Sequence, residues 1–309
     1  MVSIHDKRMN CFNKNLPQRV VDVFLKLVNP AHSPSTLYFY VVVAQFVFPR
    51  LQSGTVKYIS RRTCLNALSL LSTESLTGRS TRMVIKAVIF DLDGTLIDFN
   101  IDYKRIRGEA RNFLTSQGIP SCIFSRNESI FEMLKKTKIY IRNNGESDEK
   151  FEAVRRKVFE IAEKHELEAA RTTQLLPGVA ETLKILKKMN LKMGISTINS
   201  RKSADYALKR FGIAHFFNAV ATRDDVPEVK PSPLHVETVL KTLGVKPSEA
   251  LMVGDWSGDM KMANEVGLIA VGLPTGFATV KQLIEAGANY IITSLIDLPT
   301  LIQQINRTE

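Results

Sequence analysis

The sequence predicts an α/β protein built on a doubly wound parallel sheet, with an all-helical unit inserted after the first strand. Three observations carry this prediction. From Val84 onward, short β-branched runs alternate with amphipathic helical stretches, the pattern of a parallel sheet covered by helices on both faces. Gly212, Gly244, Gly267 and Gly287 each fall just after a helical stretch, where a left-handed closing residue is wanted. Between Asp98 and Gln174 the alternation stops, and the chain turns highly charged and helix-forming with no strand candidate.

Taken in order, Val84 to Phe90 reads as the first strand, a buried apolar run. In the insertion, Tyr103, Ile106, Ala110, Phe113 and Leu114 share one face of a first helix, and Phe151, Val154, Val158 and Ile161 share one face of another. Both stripes read as core. Leu176-Pro177-Gly178 marks the return to the sheet, followed by helix Val179 to Met189, strand Lys192 to Ser196 and helix Arg201 to Phe211. Strand Asn218 to Ala221, helix Pro233 to Leu243 and strand Ala250 to Val253 come next. The last units are helix Met260 to Val266, strand Leu268 to Val271, helix Val280 to Ala286, strand Tyr290 to Ile292 and a helix from Leu298. The expected organisation is therefore an α/β core over residues 83–98 and 175–309, a helical unit over 99–174, and an extension over 1–82.

The extension accounts for most of the net charge of +11, since residues 1–82 hold 11 Lys or Arg against 3 Asp or Glu, leaving 31 against 28 in the rest. Basicity is thus a local property and says little about what the core binds. The one apolar run there, Leu37 to Phe48 between Pro34 and Pro49, is 12 residues long. A membrane-spanning helix needs about 20. The run starts too late for a secretory signal, and no small-residue cleavage site follows it. The extension reads as a poorly ordered tail, or as the product of a start codon placed upstream of Met83. Net charge without interleaved aromatics or a motif is only an electrostatic hint of a nucleic-acid or membrane-surface partner for this segment, not firm evidence for one. Three scattered cysteines, Cys11, Cys64 and Cys122, form neither a disulfide framework nor a zinc spacing, so a reducing cytoplasm is expected. His5, His32, His165, His215 and His235 lie far apart and are expected to be structural or superficial.

Ligands of doubly wound sheets sit at the carboxyl ends of the strands. Four segments there are unusual. The first strand runs into Asp91-Leu92-Asp93-Gly94-Thr95, whose two acids, two residues apart on an extended chain, face the same space. Ser196-Thr197 ends the second strand, Lys230-Pro231 precedes a helix, and Gly254-Asp255 is followed by Asp259 at the spacing of one helical turn. Singly these are a turn, a cap, a surface Lys and an acidic loop. Together they place Asp91, Asp93, Asp255, Asp259, a hydroxyl and an ammonium at one sheet edge. Four acids in one cleft repel unless a cation sits among them, and an oxygen-only donor set suits magnesium rather than zinc. A carboxylate beside a metal, with a Lys and a hydroxyl for anionic oxygens, is the equipment of an aspartyl-phosphate enzyme.

This ordered set resembles the haloacid dehalogenase superfamily of phosphatases, whose four signatures match Asp91 to Thr95, Ser196-Thr197, Lys230-Pro231 and Gly254-Asp255 with Asp259. The resemblance implies a Rossmann-like core with a small helical cap closing over the site. It implies Asp91 as nucleophile, Asp93 as general acid and base, Thr197 and Lys230 as phosphoryl ligands, and Asn199 as a phosphate or substrate neighbour. Magnesium would be held by Asp91, the carbonyl of Asp93 and Asp255, with Asp259 acting directly or through waters. The dehalogenases of the superfamily lack the second acid, so Asp93 argues for phosphoryl transfer. Its sugar-phosphate mutases carry a His early in the cap, where Lys104 and Arg105 stand here, so a hydrolase is favoured. Leu176 to Val179 and the segment from Gly276 to Ala288 resemble phosphoglycolate phosphatases, which makes a small phosphorylated metabolite the expected partner. Lys104, Arg105 and Arg107 are candidates for reading a substrate carboxylate. Alternatives are a phosphosugar mutase of the same superfamily and a non-catalytic interaction protein that keeps the fold; oligomeric state is left open.

Overall fold

The computed structural model describes residues 84–307. The expectations for residues 1–82 and for Met83 lie outside the described residues. Six parallel strands form one sheet: β1 (Ala87–Phe90), β2 (Lys192–Ser196), β3 (Ala219–Ala221), β4 (Ala250–Gly254), β5 (Ile269–Gly272) and β6 (Tyr290–Ile291), in the order β3-β2-β1-β4-β5-β6. Nine α-helices accompany them among the described residues. They are α1 (Tyr103–Ser116), α2 (Ile130–Asn143), α3 (Asp148–Thr172), α4 (Val179–Lys188), α5 (Arg201–Arg210), α6 (Pro233–Leu243), α7 (Ser257–Val266), α8 (Val280–Glu285) and α9 (Leu298–Ile305).

β1 lies inside the sheet, and its sequence shows why. Ala87, Val88, Ile89 and Phe90 are all fully buried, with Val88 and Phe90 in one apolar cluster and Ala87 and Ile89 in the cluster on the opposite face. A strand covered on both sides reads as a continuous apolar run instead of an alternating one. Burying a side chain such as Phe90 contributes about 1.5–3 kcal/mol. The helices between β1 and α4 build a third cluster of their own, in which Ile106, Ala110 and Leu114 of α1 meet Met133 and Ile141 of α2 and Phe151, Val154 and Val158 of α3. Each of these helices is capped by a side chain, as Asp102, Ser129 and Ser147 accept the backbone N–H of Arg105, Glu132 and Lys150.

Element boundaries depart from the sequence reading by a few residues. β1 begins at Ala87 rather than Val84, and α7 begins three residues early, at Ser257 rather than Met260. Asp259 explains the early start of α7: its carboxylate accepts the N–H of Trp256 at 3.3 Å, satisfying an otherwise orphaned donor at the helix entrance. Asp255 therefore stands in the link before the helix, and Asp259 in the first turn.

The strand order reverses direction at β1, with β2 and β3 to one side and β4 to β6 to the other. Such a switch point opens a crevice at the carboxyl edge. Register aligns the three central strands there, because Phe90 is level with both Ile195 of β2 and Val253 of β4. Among the described residues no helix is long and apolar enough to cross a membrane.

Candidate active site

The chain leaves the sheet at Asp91, whose N–H still donates to the Val253 carbonyl at 2.9 Å. Three residues on, Gly94 turns with φ +78°, and a Cβ there would collide with the Asp255 carboxylate. Gly276, in the loop after β5, faces the same carboxylate just as closely, and the Phe277 N–H donates to it at 2.6 Å. Conformation and close approach together make glycine the fitting residue at 94.

One oxygen from each of Asp91, Asp255 and Asp259 lies within 4.8 Å of the others. Asp255 is 1% exposed and Asp259 fully buried. Lys230, itself buried, donates to Asp91 Oδ1 at 2.6 Å and forms an ion pair with Asp259 Oδ1 at 2.7 Å. Burial raises the pKa of Asp255, and the charges of Asp91 and Asp259 raise it further. Asp259 is also raised by burial, against the pull of Lys230. Burial alone would lower the Lys230 ammonium, but Asp259 and Asp91 outweigh it and hold the group above its ordinary value. Among the described residues a single ammonium is thus left to offset three carboxylates. Acids crowded out of water in this way keep protons unless a cation displaces them, and their all-oxygen donor set fits a hard divalent ion.

Asp93 points to a different task. Its carboxyl is buried, and its pKa is pushed up to about 8 by that burial, then by Asp91 and Glu166, while Asn199 Nδ2 donates to Oδ2 at 2.5 Å. It is therefore protonated at neutral pH and able to give a proton away. Thr197 is held at the end of β2 by its N–H on the Ala221 carbonyl, at 2.9 Å. Lys230 is held through His235, whose Nδ1 accepts the Lys230 N–H at 3.2 Å while Nε2 donates to the Ala221 carbonyl at 3.3 Å. Burial and the Lys230 charge lower the His235 pKa to about 3, so the ring stays neutral.

A cavity of about 1130 Å³ rises from these residues, with Asp91, Asp93, Thr197, Lys230 and Asp255 in its floor. Asn199 does not line it; its side chain backs Asp93 instead. Of the three basic candidates on α1, Arg107 reaches the cavity, whereas Arg105 is turned to Glu109 and Lys104 is exposed. Tyr103, expected only as core, packs against the helical cluster and also lines the cavity, and burial followed by the charges of Asp93 and Glu166 raises its pKa well above the usual phenol range. The sequence reading gave no site role to Glu166 or to Arg223, noticed only as the start of a family-like run into Lys230; the two form a buried ion pair at the cavity wall. Arg223 stands just after β3, at a strand end like the others, and Glu166 continues the Val158 and Ala162 stripe of α3 as a charge in an apolar position. Both signals were readable.

The haloacid dehalogenase-like hydrolase family model matches residues 85–267. The chain belongs to that family. Among relatives of this haloacid dehalogenase-like hydrolase is the phosphoglycolate phosphatase of Chromobacterium violaceum, 29% identical over 71% of this chain and 97% of that one. Phosphoglycolate phosphatase 1 of Pseudomonas aeruginosa is 28% identical over 69% of this chain and 78% of its own length. Pyrophosphatase PpaX of Halalkalibacterium halodurans is 29% identical over 71% and 98%. Among solved structures, a hydrolase from Pseudomonas syringae superposes with a TM-score of 0.52 at 27% identity, covering 71% of this chain and 99% of that one. A phosphonoacetaldehyde hydrolase-like protein from Oleispira antarctica shares the fold at a TM-score of 0.55 and 19% identity, over 75% and 96%.

Proposed function

We propose that this hydrolase is a magnesium-dependent phosphatase that cleaves a small phosphate monoester, phosphoglycolate being the first candidate, through a phosphorylated Asp91. The observation that carries the reading is the gathering of Asp91, Asp255 and Asp259 within 4.8 Å, with Lys230 bridging two of them. Relatives named as phosphoglycolate phosphatases support the choice of substrate.

In the first step a carboxylate oxygen of Asp91 attacks phosphorus and the ester P–O bond breaks. Asp93, protonated through its raised pKa, gives its proton to the departing alkoxide oxygen. In the second step Asp93, now ionised, takes a proton from water as that water attacks phosphorus. The bond to Asp91 breaks, orthophosphate leaves and both acids return to their starting states. Lys230 offsets charge between Asp91 and the phosphoryl oxygens, and the Thr197 hydroxyl donates to one of them. Magnesium, held by Asp91, Asp255, Asp259 and the Asp93 carbonyl, would supply positive charge to the phosphoryl oxygens.

The test is hydrolysis of p-nitrophenyl phosphate by the full chain with and without magnesium. Activity should require the ion and vanish in Asp91→Asn; a fully active Asp91→Asn protein removes the nucleophile. A panel of phosphorylated metabolites then ranks substrates, with phosphoglycolate and pyrophosphate among them. The cavity exceeds the usual range of about 300–1,000 Å³ for small-ligand sites, so the panel includes esters larger than a two-carbon acid.

A further inference from the structure

Glu166 of α3 and Arg223 after β3 are a buried pair, with side chains 3% and 1% exposed. Their ion contact, Arg223 Nη1 to Glu166 Oε1, is only part of what they do. Both also grip the backbone that follows Thr197. Glu166 Oε2 accepts the Ser200 N–H at 3.0 Å, Arg223 Nη1 donates to the Ile198 carbonyl at 3.1 Å, and the Arg223 N–H donates to the Asn199 carbonyl at 3.1 Å. Each of the three residues after Thr197 is thus tied to one of the pair. Arg223 reaches α3 at a second place, through Nη2 on the Phe159 carbonyl at 3.3 Å and its guanidinium 5.1 Å from the Phe159 ring centre.

Fastening α3 to the core does not require buried charge. Lys202 of α5 and Glu163 of α3 already do so at 2.9 Å on the exposed side, one turn earlier, without touching the loop. Taking a carboxylate and a guanidinium out of water is costly and gives at best weak net stabilisation. What the buried pair adds is control of the loop. From the loop, Asn199 extends the chain of contacts to Asp93.

We propose that Glu166 and Arg223 are positioning residues for the phosphoryl-binding loop 197–200, so that the inserted helical unit builds part of the phosphate site as well as covering it. This rests on the assignment of Thr197 to the phosphoryl group made above. A shift of α3 displaces the Ser200 N–H, and with it Thr197, Asn199 and the carboxyl of Asp93. Substrate binding and proton donation are thereby coupled to the placement of one helix.

The test uses the full chain with magnesium, p-nitrophenyl phosphate as substrate and orthophosphate as competitive probe. Glu166→Gln has one acceptor oxygen where two are needed. Its kcat/KM should fall about tenfold or more, with the orthophosphate inhibition constant rising in proportion, because small misplacements at a reacting centre are amplified in rate. Glu163→Gln should stay within twofold of wild type. The double variant Glu166→Leu with Arg223→Met replaces the pair by apolar side chains. It should melt at or above the wild-type temperature yet show the same kinetic loss, which separates positioning from general stability. Wild-type kcat/KM in the double variant, or an equal loss in Glu163→Gln, overturns the proposal. A wild-type chain that hydrolyses no phosphate ester overturns the phosphatase reading instead; orthophosphate binding by calorimetry, compared between wild type and Glu166→Gln, then still decides the loop.

Discussion

The ammonium of Lys230 lies 2.6 Å from a carboxylate oxygen of Asp91, although 139 positions separate the two in sequence. The same ammonium touches Asp259 at 2.7 Å, so it offsets the charge of the proposed nucleophile and of one acidic neighbour together. Among the described residues, removing it leaves Asp91, Asp255 and Asp259 without a cationic side chain in contact.

Lys230→Met should lower kcat by about 10²–10³, the size of effect seen when one preorganised donor to developing charge is lost. Circular dichroism should show the fold intact. Steady-state rates on p-nitrophenyl phosphate check this; a variant within twofold of wild type would deny Lys230 any part in the chemistry.

Magnesium should raise the melting temperature. A ligand that binds only the folded state adds about 2.7 kcal/mol at one hundred times its Kd. The rise should disappear in Asp255→Asn, because Asp255 belongs to the oxygen cluster. Differential scanning fluorimetry with magnesium and with EDTA reads the effect, and an unchanged magnesium shift in the variant would exclude Asp255 as a ligand.

Two glycines with positive φ should behave differently when replaced by Ala. At Gly94, φ is +78° and the added methyl strikes the Asp255 carboxylate; at Gly267, φ is +88° and nothing lies within 4 Å. Both substitutions should cost about 1–2 kcal/mol from the left-handed backbone. Only Gly94→Ala should also lose activity, by at least about tenfold, since it displaces a group near the reacting centre. Urea unfolding and kinetics on the two variants distinguish them, and equal activities would place Asp255 outside the site.

His235 should make stability fall as the solution turns acidic. Its pKa is about 3 in the fold against an ordinary 6.5, so between these values the unfolded chain takes up a proton that the folded chain refuses. Stability from this group is therefore complete above about pH 6.5 and declines below it, approaching about 1.4 kcal/mol per pH unit. Asp93 and Asp255, raised to about 8 in the metal-free fold, act in the opposite sense, since the folded chain binds protons there that the unfolded chain does not. Comparison with His235→Gln isolates the His235 share. The stability difference between wild type and variant should shrink from pH 7.5 to pH 5 in urea titrations, and a constant difference would show that His235 is not a buried neutral ring.

What the sequence determined by itself was periodic or local. The unbroken apolar run into Asp91 announced a strand buried on both faces, and the glycines after helices announced their ends, because both patterns follow from backbone geometry within a few residues. Asp91, Asp93, Thr197, Lys230, Asp255 and Asp259 were legible because each sits at a strand end or a helix entrance, where the fold class already directs attention. Tertiary structure alone decided which residues meet. The register that sets Phe90 level with Val253 brings Asp91 beside Asp255, and the packing of α3 against the core carries Glu166 to Arg223, 57 positions away. It also turned Asn199 behind Asp93 and Arg107, rather than Arg105, toward the cavity. Side-chain partners separated by long loops depend on how helices and strands pack in three dimensions, and no local spacing in the chain records that.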